Sequence, residues 1–290
     1  NAHFEVCLLD IKVKGLFKSS NKHDTTGIDG DLESYYSFVH ESAFDLVIIL
    51  AQPDTWVAML LEQKNRGLPP VVLMPSISSY NLNAWVPRGI MDRIAHILRA
   101  ADMLIAVTEN GHDTRMFHQL GLHFTYIPHA VEKKAGQYTF RDRHGLKKNV
   151  PLLLMVGNFR PVKNHIQLLD VFQRAPGQWQ LVLVGYPVAH MQEYYENVQK
   201  QAALDDRVII IPGLPPDETE AAIRDADVLL LPSLGESAGP LVVLQAMAHG
   251  IPWIASPACN AVADEGGGVI APVAQFPRIT EILLRRNNLS

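Results

Sequence analysis

Short apolar runs recur along the whole chain, with longer segments of mixed polarity between them. The first series occupies residues 4–9, 46–51, 71–74, 103–107 and 124–127, and the second occupies 152–156, 181–184, 208–211, 228–231 and 253–255. These runs lack polar alternation, which is typical of parallel strands buried on both faces. Because the spacers are long enough for crossover helices, the pattern predicts an α/β fold with two Rossmann-like, doubly wound parallel sheets.

A charged and weakly patterned stretch from 133 to 149 separates the two series. It predicts an N-terminal domain over residues 1–148 and a C-terminal domain over residues 149–290. The chain begins at Asn1 rather than Met, and an apolar run follows almost at once. We therefore expect that native N-terminal sequence is missing.

Composition narrows the classes of protein that fit. The 290 residues are 48% hydrophobic and 19% charged, which suits a chain with real cores and excludes a largely disordered one. A net charge of −5 leaves no basic excess, so nucleic acid is not an expected partner. The two distant cysteines, Cys7 and Cys259, indicate no disulfide framework and predict the reducing cytoplasm. No apolar run approaches the length of a membrane span.

Two cations follow the first strand predicted in the second half, within the segment V-G-N-F-R-P-V-K-N at 156–164. Arg160 and Lys163 stand at the carboxyl end of a strand and before a helix, where ligands of open α/β sheets lie. A diphosphate suits them, because arginine can bind it with two hydrogen bonds and lysine acts as a point charge. The alternative interpretation is a pair of solvated charges on a loop.

A second candidate loop, L-P-S-L-G-E-S-A-G at 231–239, opens into a predicted helix at 240–249. Pro240 suits the first helical position, with Gly239 as the cap before it. The free N–H groups and positive dipole end of such a helix bind phosphate well. Glu236 is the carboxylate of this loop that can accept hydrogen bonds from hydroxyl groups. A capped helix beside a solvated glutamate is the alternative interpretation.

Other signals are weak or absent. No G-x-G-x-x-G follows a strand, and no G-x-S-x-G or P-loop motif occurs, which disfavours nicotinamide oxidoreductases, α/β-hydrolases and P-loop NTPases. The histidines lack the spacing of a metal site, and the glycine run at 266–268 is interpreted as a flexible turn. A basic cluster is interpreted as a solvated linker face, with peripheral contact to an anionic membrane as the alternative. Its members are Arg141, Arg143, Lys147 and Lys148.

At these motifs the second half resembles the retaining glycosyltransferases of family four, which have the GT-B fold. Residues 156–164 are similar to the family's V-G-R-L-x-x-x-K-N, and residues 226–233 to its a-D-v-x-l-x-P-S. Residues 236–252 resemble its E-x-f-G-l-x-x-x-E-A-M-A-x-G-x-P.

The first half carries a weaker resemblance to the same family. Residues 101–108 and 126–132 are similar to its a-D-x-v-i-a-v-S and v-I-P-N-G-V-D segments. The run at 4–9 looks like the family's second strand, so its first strand is expected to be missing. Together the similar segments extend from about residue 45 to about residue 284.

The resemblance implies two Rossmann-like domains facing a cleft, with a nucleoside-diphosphate sugar held mainly by the second domain and the acceptor mainly by the first. It implies transfer of a sugar to a glycan or lipid-linked acceptor, with retention and without metal or other cofactor. Biosynthesis of a glycan such as a cell-envelope polysaccharide, in the cytoplasm or at the inner face of the membrane, follows from it.

Site residues are carried over by position in the motifs. Lys163 is expected to bind the donor diphosphate with help from Arg160, and Glu236 to bind hydroxyls of the transferred sugar. The remaining donor-binding positions are expected to be Gly157, Asn158, Ser237, Ala238, Gly239, Pro240, Leu241 and Gln245.

Several positions depart from the family's pattern. Asn158 replaces an arginine, and Gln245 replaces a glutamate that resembles a ribose-hydroxyl acceptor. The loop before Gln245 is one residue longer, and the family's histidine after a first-domain strand has no clear equivalent. These departures support an alternative, a non-catalytic GT-B module that binds a nucleotide or a partner. A GT-B nucleotide-sugar epimerase ranks third, because its acid and base groups have no evident place here.

Overall fold

A computed structural model describes the part of the chain that carries most of the predicted strands. The described residues are 45–51, 67, 69–75, 90–133, 139–236, 239–259 and 267–287. Two parallel sheets lie within them, with helices in the connections, so the predicted α/β architecture is confirmed. The predicted run at 4–9 lies outside the described residues.

The first sheet has four strands in the order β1-β2-β3-β4, and every neighbouring pair is parallel. Its strands are β1 (Val47–Ala51), β2 (Val71–Pro75), β3 (Met103–Ala106) and β4 (Thr125–Tyr126). The helices described here are α1 (Ile90–Ala100) and α2 (His112–Gln119). Each strand matches a predicted run, although the run at 124–127 forms only two residues of strand.

The second sheet has six parallel strands in the order β10-β9-β8-β5-β6-β7. Its strands are β5 (Leu152–Val156), β6 (Gln180–Gly185), β7 (Val208–Pro212), β8 (Val228–Leu231), β9 (Trp253–Ala255) and β10 (Gly268–Ile270). The helices are α3 (Phe140–Arg143), α4 (His165–Gln173), α5 (Gln192–Ala202), α6 (Pro216–Asp225), α7 (Leu241–His249) and α8 (Phe276–Asn287). The runs predicted at 152–156, 228–231 and 253–255 have the bounds of the observed strands.

Two apolar cores cover the two faces of this sheet. Alternate residues of β5 point to opposite faces, so Leu152 and Leu154 enter one core while Leu153 and Met155 enter the other. Helices α3, α6 and α7 contribute to the first core, and α4, α5 and α8 to the second. Burial on both faces explains why the strand sequence shows no polar alternation.

The strand β10 corrects one prediction. Gly268 was assigned to a flexible turn, but it begins β10 and pairs with Trp253 of β9. A Cβ atom at Gly268 would lie 2.0 Å from Cδ2 of Trp253, so the indole ring covers the glycine and leaves no room for a side chain. The glycine therefore serves packing within a strand.

One member of the basic cluster differs from the prediction. Arg141 is not a solvated linker residue, whereas Arg143, Lys147 and Lys148 are exposed. The Arg141 guanidinium bonds to Asp227 Oδ2 at 2.6 Å and to the carbonyl oxygens of Lys147 and Val150 at 2.9 and 2.8 Å. Phe140 beside it is fully buried in the core of the second sheet. The segment around α3 thus packs on the second sheet, and the position of the domain boundary stays a prediction.

We expect Asp227→Asn to destabilise the second domain by about 1–3 kcal/mol, because its carboxylate accepts bonds from both Arg141 and the Leu152 amide. Thermal and urea denaturation followed by circular dichroism will measure the change. Asp170→Asn is the matched control, since Asp170 pairs with Arg174 on the exposed surface of α4. Equal effects of the two substitutions would contradict this role of Asp227.

Candidate functional site

The site predicted from the sequence lies where the strand order of the second sheet reverses. Strands β5 and β8 are neighbours, but β6 and β7 extend the sheet on one side while β9 and β10 extend it on the other. Connections after β5 and β8 therefore leave in opposite directions and open a crevice at the carboxyl ends of the strands. The two candidate loops, 157–164 and 232–240, follow these two strands.

The crevice brings together the two charged residues singled out by the sequence. Lys163 Nζ lies 2.6 Å from Glu236 Oε1, and the two side chains are 23% and 12% exposed. The residues are 73 positions apart in the chain. The fold thus brings both residues to the same edge of the sheet, and their contacts with a donor stay a prediction.

The loop after β5 places the side chain of Lys163 against the end of that strand. Gly157 has no side chain, and a Cβ atom there would lie 3.4 Å from Cδ of Lys163. A single 3-10 turn over Pro161–Lys163 follows, and Asn164 ends it in the left-handed conformation with φ of 61°. Asparagine tolerates this conformation better than most residues with a side chain.

Asn164 also fastens the two candidate loops together, a role that the sequence analysis did not assign. Its Nδ2 donates to the carbonyl oxygen of Pro232 at 3.1 Å. The Leu234 amide donates in return to the carbonyl oxygen of Val162 at 2.7 Å. The K-N pair of the motif was the available signal, but only the fold shows which loop the asparagine reaches.

Asn158, which replaces the family's arginine, forms a hydrogen bond within the protein. Asn158 Oδ1 accepts from the Tyr186 amide at 3.2 Å, so its carboxamide ties the loop after β5 to the end of β6. Gly185 permits this approach, because a Cβ atom there would lie 2.0 Å from the carbonyl oxygen of Gly157. Arg160 is exposed in the same loop, and its guanidinium has no hydrogen-bond partner among the described residues.

Helix α7 begins one residue later than predicted. Leu241 is its first residue, and Pro240 rather than Gly239 occupies the N-cap with φ of −65° and ψ of 118°. Proline has no polar side chain with which to cap the helix, and the Leu241 and Val242 amides have no acceptor among the described residues. These amides and the helix dipole remain directed at the crevice.

The remaining part of this loop adjoins the first sheet. A Cβ atom at Gly239 would lie 3.4 Å from the methyl group of Thr108, which follows β3. The first domain thus approaches the loop that was predicted to bind the donor. Ser237 and Ala238, predicted donor-binding residues, lie outside the described residues.

Two buried side chains, Ser256 and Cys259, lie against the second loop. Ser256 Oγ donates to the carbonyl oxygen of Ser233 and lies 3.5 Å from Cys259 Sγ. Burial and the nearby charge of Glu236 raise the pKa of Cys259 to about 12. The cysteine is therefore a neutral thiol of the core at physiological pH.

Gln245, which replaces the family's glutamate, forms a hydrogen bond to the neighbouring helix α6. Its Nε2 donates to Glu220 Oε2 at 2.8 Å, and His249 Nε2 lies 2.5 Å from Glu220 Oε1. The sequence offered no signal for Glu220, which lies 25 residues before Gln245. Tertiary packing of α6 against α7 brings them together.

Two structural features are absent from the described part of the chain. It contains no cluster of three or more His, Cys, Asp or Glu side chains arranged to hold a metal ion. None of its helices combines the length and the apolarity that crossing a membrane requires.

Comparison with known sequences agrees with this geometry. The sequence profile described as Glycosyl transferases group 1 matches residues 137–272. The second domain belongs to this glycosyltransferase family. D-inositol 3-phosphate glycosyltransferase from Mycobacteroides abscessus is 28% identical over 155 residues, covering 50% of this chain and 35% of that protein. Its namesake from Xylanimonas cellulosilytica is 27% identical over 186 residues, covering 59% of this chain and 44% of that protein. The chain spans less than half the length of these curated relatives.

The likeness to solved structures extends to both sheets. Anabaena HepE, solved with UDP and glucose, superposes with a TM-score of 0.73 at 16% identity, over 89% of this chain and 75% of that chain. Sucrose-phosphate synthase from Thermosynechococcus elongatus has a TM-score of 0.70 at 23% identity, over 87% of this chain and 67% of that chain. At such identities the likeness concerns the fold, and it confirms the predicted GT-B architecture.

The histidine next to this site predicts a pH dependence of stability. His165 begins α4, is fully buried and stacks on Phe159 with a centroid distance of 4.8 Å. Burial, reinforced by the charge of Lys163, lowers the pKa of His165 from 6.5 to about 4. The folded state therefore disfavours the proton that the unfolded chain accepts below pH 6.5.

We expect the stability contributed by neutral His165 to be complete above pH 6.5 and to fall as the pH approaches 4, by about 2 kcal/mol between pH 7.5 and 5. Urea denaturation at both pH values will measure the fall, and His165→Phe is expected to remove it. His190→Gln, at an exposed histidine, is the control and should retain the wild-type dependence. A His165→Phe protein with an unchanged pH dependence would refute the assignment.

Proposed function

We propose that this chain is a glycosyltransferase that moves a sugar from a nucleoside-diphosphate sugar to a hydroxyl group of a glycan or lipid-linked acceptor, with retention and without a metal ion. The observation that carries the proposal is the contact of Lys163 with Glu236 at the crevice of a group 1 glycosyltransferase domain. The names of the sequence relatives and the UDP-containing structure of HepE support it.

The main requirement of this reaction is to stabilise the negative charge that develops on the leaving group. As the bond to the sugar breaks, a nucleoside diphosphate departs with additional negative charge. Lys163, the exposed guanidinium of Arg160 and the N-terminus of α7 provide positive charge on one side of the crevice. Preorganised groups of this kind stabilise a developing anion without a metal ion.

Glu236 is suited to the sugar rather than to the phosphates. Lys163 bonds to its Oε1, so the second carboxylate oxygen, Oε2, can accept hydrogen bonds from sugar hydroxyls. We infer retention from the family resemblance, with the acceptor hydroxyl attacking on the face from which the diphosphate leaves. On that face a phosphate oxygen of the leaving group is a base near enough to receive the hydroxyl proton.

A non-catalytic nucleotide-binding module is the second candidate function. The observation that favours it is that both departures from the family, Asn158 and Gln245, form hydrogen bonds within the protein. Lys163 is also already neutralised by Glu236. Such a site can bind a nucleotide without turning over its sugar conjugate, and the two functions differ in turnover alone.

We expect UDP, GDP or ADP, or one of their sugar conjugates, to raise the melting temperature of the protein, and Lys163→Ala to abolish the increase. A ligand at 100 times its Kd adds about 2.7 kcal/mol to the stability of the folded state, which a thermal-shift measurement detects easily. Lys200→Ala, at an exposed lysine of α5, is the control and should respond like the wild type. An equal shift in Lys163→Ala would remove this lysine from the donor site.

Turnover is expected to continue in excess EDTA, and the product is expected to keep the anomeric configuration of the donor. Incubation of the protein with the donor identified above and a panel of glycan and lipid-linked acceptors, followed by mass spectrometry and NMR of the product, will test both. Activity lost to EDTA and restored by Mg²⁺ would contradict the metal-free mechanism. Nucleotide binding with neither transfer nor donor hydrolysis would establish the non-catalytic module.

A further inference from the structure

The asparagine that follows Lys163 does not use its side chain to cap a helix. Asn164 is the N-cap residue of α4, but its side chain makes no hydrogen bond to the first amides of that helix. An asparagine cap normally makes such a bond from a backbone in the extended region. Here the backbone is left-handed, with φ of 61° and ψ of 37°, and the carboxamide makes its hydrogen bonds elsewhere.

The NH2 group of Asn164 has two acceptors. Its Nδ2 donates to the carbonyl oxygen of Pro232 at 3.1 Å and to Gln167 Oε1 at 2.6 Å. A backbone carbonyl only accepts hydrogen bonds, so the NH2 end of the carboxamide must face the loop after β8. Gln167, three residues further along the chain, holds the carboxamide in this orientation. The side chain thus joins the start of α4 to the loop after β8.

The chain next to Asn164 is fixed to the core of the second sheet. His165 is fully buried and stacks on Phe159, and its amide donates to the Tyr194 hydroxyl at 3.1 Å. The turn that carries Lys163 therefore has a firm support. Because this support is fixed, the bond from Asn164 to Pro232 determines where the other loop lies.

Two hydrogen bonds of opposite direction join the two loops. One is the bond from Asn164 to Pro232, and the other runs from the Leu234 amide to the carbonyl oxygen of Val162 at 2.7 Å. Glu236 follows Leu234 by two residues, so the position of its carboxylate depends on this pair of bonds. Of the two bonds only that of Asn164 comes from a side chain, and a substitution can remove it without changing the other.

We propose that Asn164 is a positioning residue, whose carboxamide holds the loop of Glu236 against the loop of Lys163 so that one nucleotide sugar can bind to both residues at once. This inference rests on the proposed function and assigns to Asn164 an effect that passes through Glu236. The diphosphate and the sugar of a donor are parts of one molecule, so they need the two loops at one separation. Setting that separation before the donor binds lowers the free-energy cost of binding.

The test uses substitutions that keep the left-handed turn and remove the side-chain donor. Glycine adopts a positive φ without strain, and aspartate tolerates it but has no N–H group to donate. Asn164→Gly and Asn164→Asp therefore separate the bond to Pro232 from the backbone conformation. Asn149→Gly is the matched control, since Asn149 is an exposed residue of the turn before β5.

The Kd of each protein is measured calorimetrically for the sugar conjugate of UDP, GDP or ADP that most raises the melting temperature of the wild type. The same three substitutions are then combined with Glu236→Gln, and the titrations are repeated. This comparison shows whether the effect of Asn164 passes through Glu236, because residues that act together have non-additive effects. Melting temperatures without ligand show that each variant is folded.

We expect Asn164→Gly and Asn164→Asp each to raise the Kd by roughly fivefold, the worth of about one hydrogen bond. Beside Glu236→Gln they are expected to change the Kd little further, and Asn149→Gly is expected to have no effect in either background.

An unchanged Kd in both Asn164 variants would overturn the positioning role and leave the proposed function intact. An equal loss of affinity with and without Glu236→Gln would also overturn it, because Asn164 would then act without Glu236. A wild type that binds none of the nucleotide sugars would overturn the proposed function, and this inference with it.

Discussion

The contact between Lys163 and Glu236 is the constraint on which the candidate site depends. Both groups are largely removed from water, and a charge in that condition is costly unless a partner and hydrogen bonds compensate it. The partners come from loops that are distant in sequence and adjacent only because β5 and β8 pair in the sheet. Gly157, the left-handed Asn164 and the bond from Leu234 to Val162 then hold the two loops at the required separation.

The positively charged groups of the crevice differ in how far they are already neutralised by the protein. Lys163 is paired, Arg160 beside it is exposed, and the amides at the start of α7 add the positive end of a helix dipole. A diphosphate entering the crevice would compete with Glu236 for Lys163 while the other positive groups remain available to it. Once Lys163 binds the diphosphate, Glu236 would be able to accept hydrogen bonds from sugar hydroxyls. The two residues of one ion pair would then bind the two parts of a nucleotide sugar.

The departures from the family's pattern have local explanations in the packing of the second domain. Asn158 ties the loop after β5 to β6, and Gln245 satisfies a buried carboxylate on α6. Asn158 accepts a hydrogen bond, which an arginine side chain cannot do, and Gln245 donates one, which a glutamate carboxylate cannot do. The family match covers this domain, whereas the first domain is related to known proteins chiefly through its fold.

The sequence by itself determined the two sheets, most strand positions and the two loops of the site. Apolar runs without alternation identify strands buried on both faces, and charges after such runs mark the ligand edge of a parallel sheet. It could not determine the start of α7, the strand at Gly268, the structural use of Arg141 or the partner of Gln245. The last three depend on contacts between segments far apart in the chain, such as Trp253 over Gly268 or Glu220 beside Gln245. The local sequence pattern does not encode such contacts, so only the tertiary structure decides them.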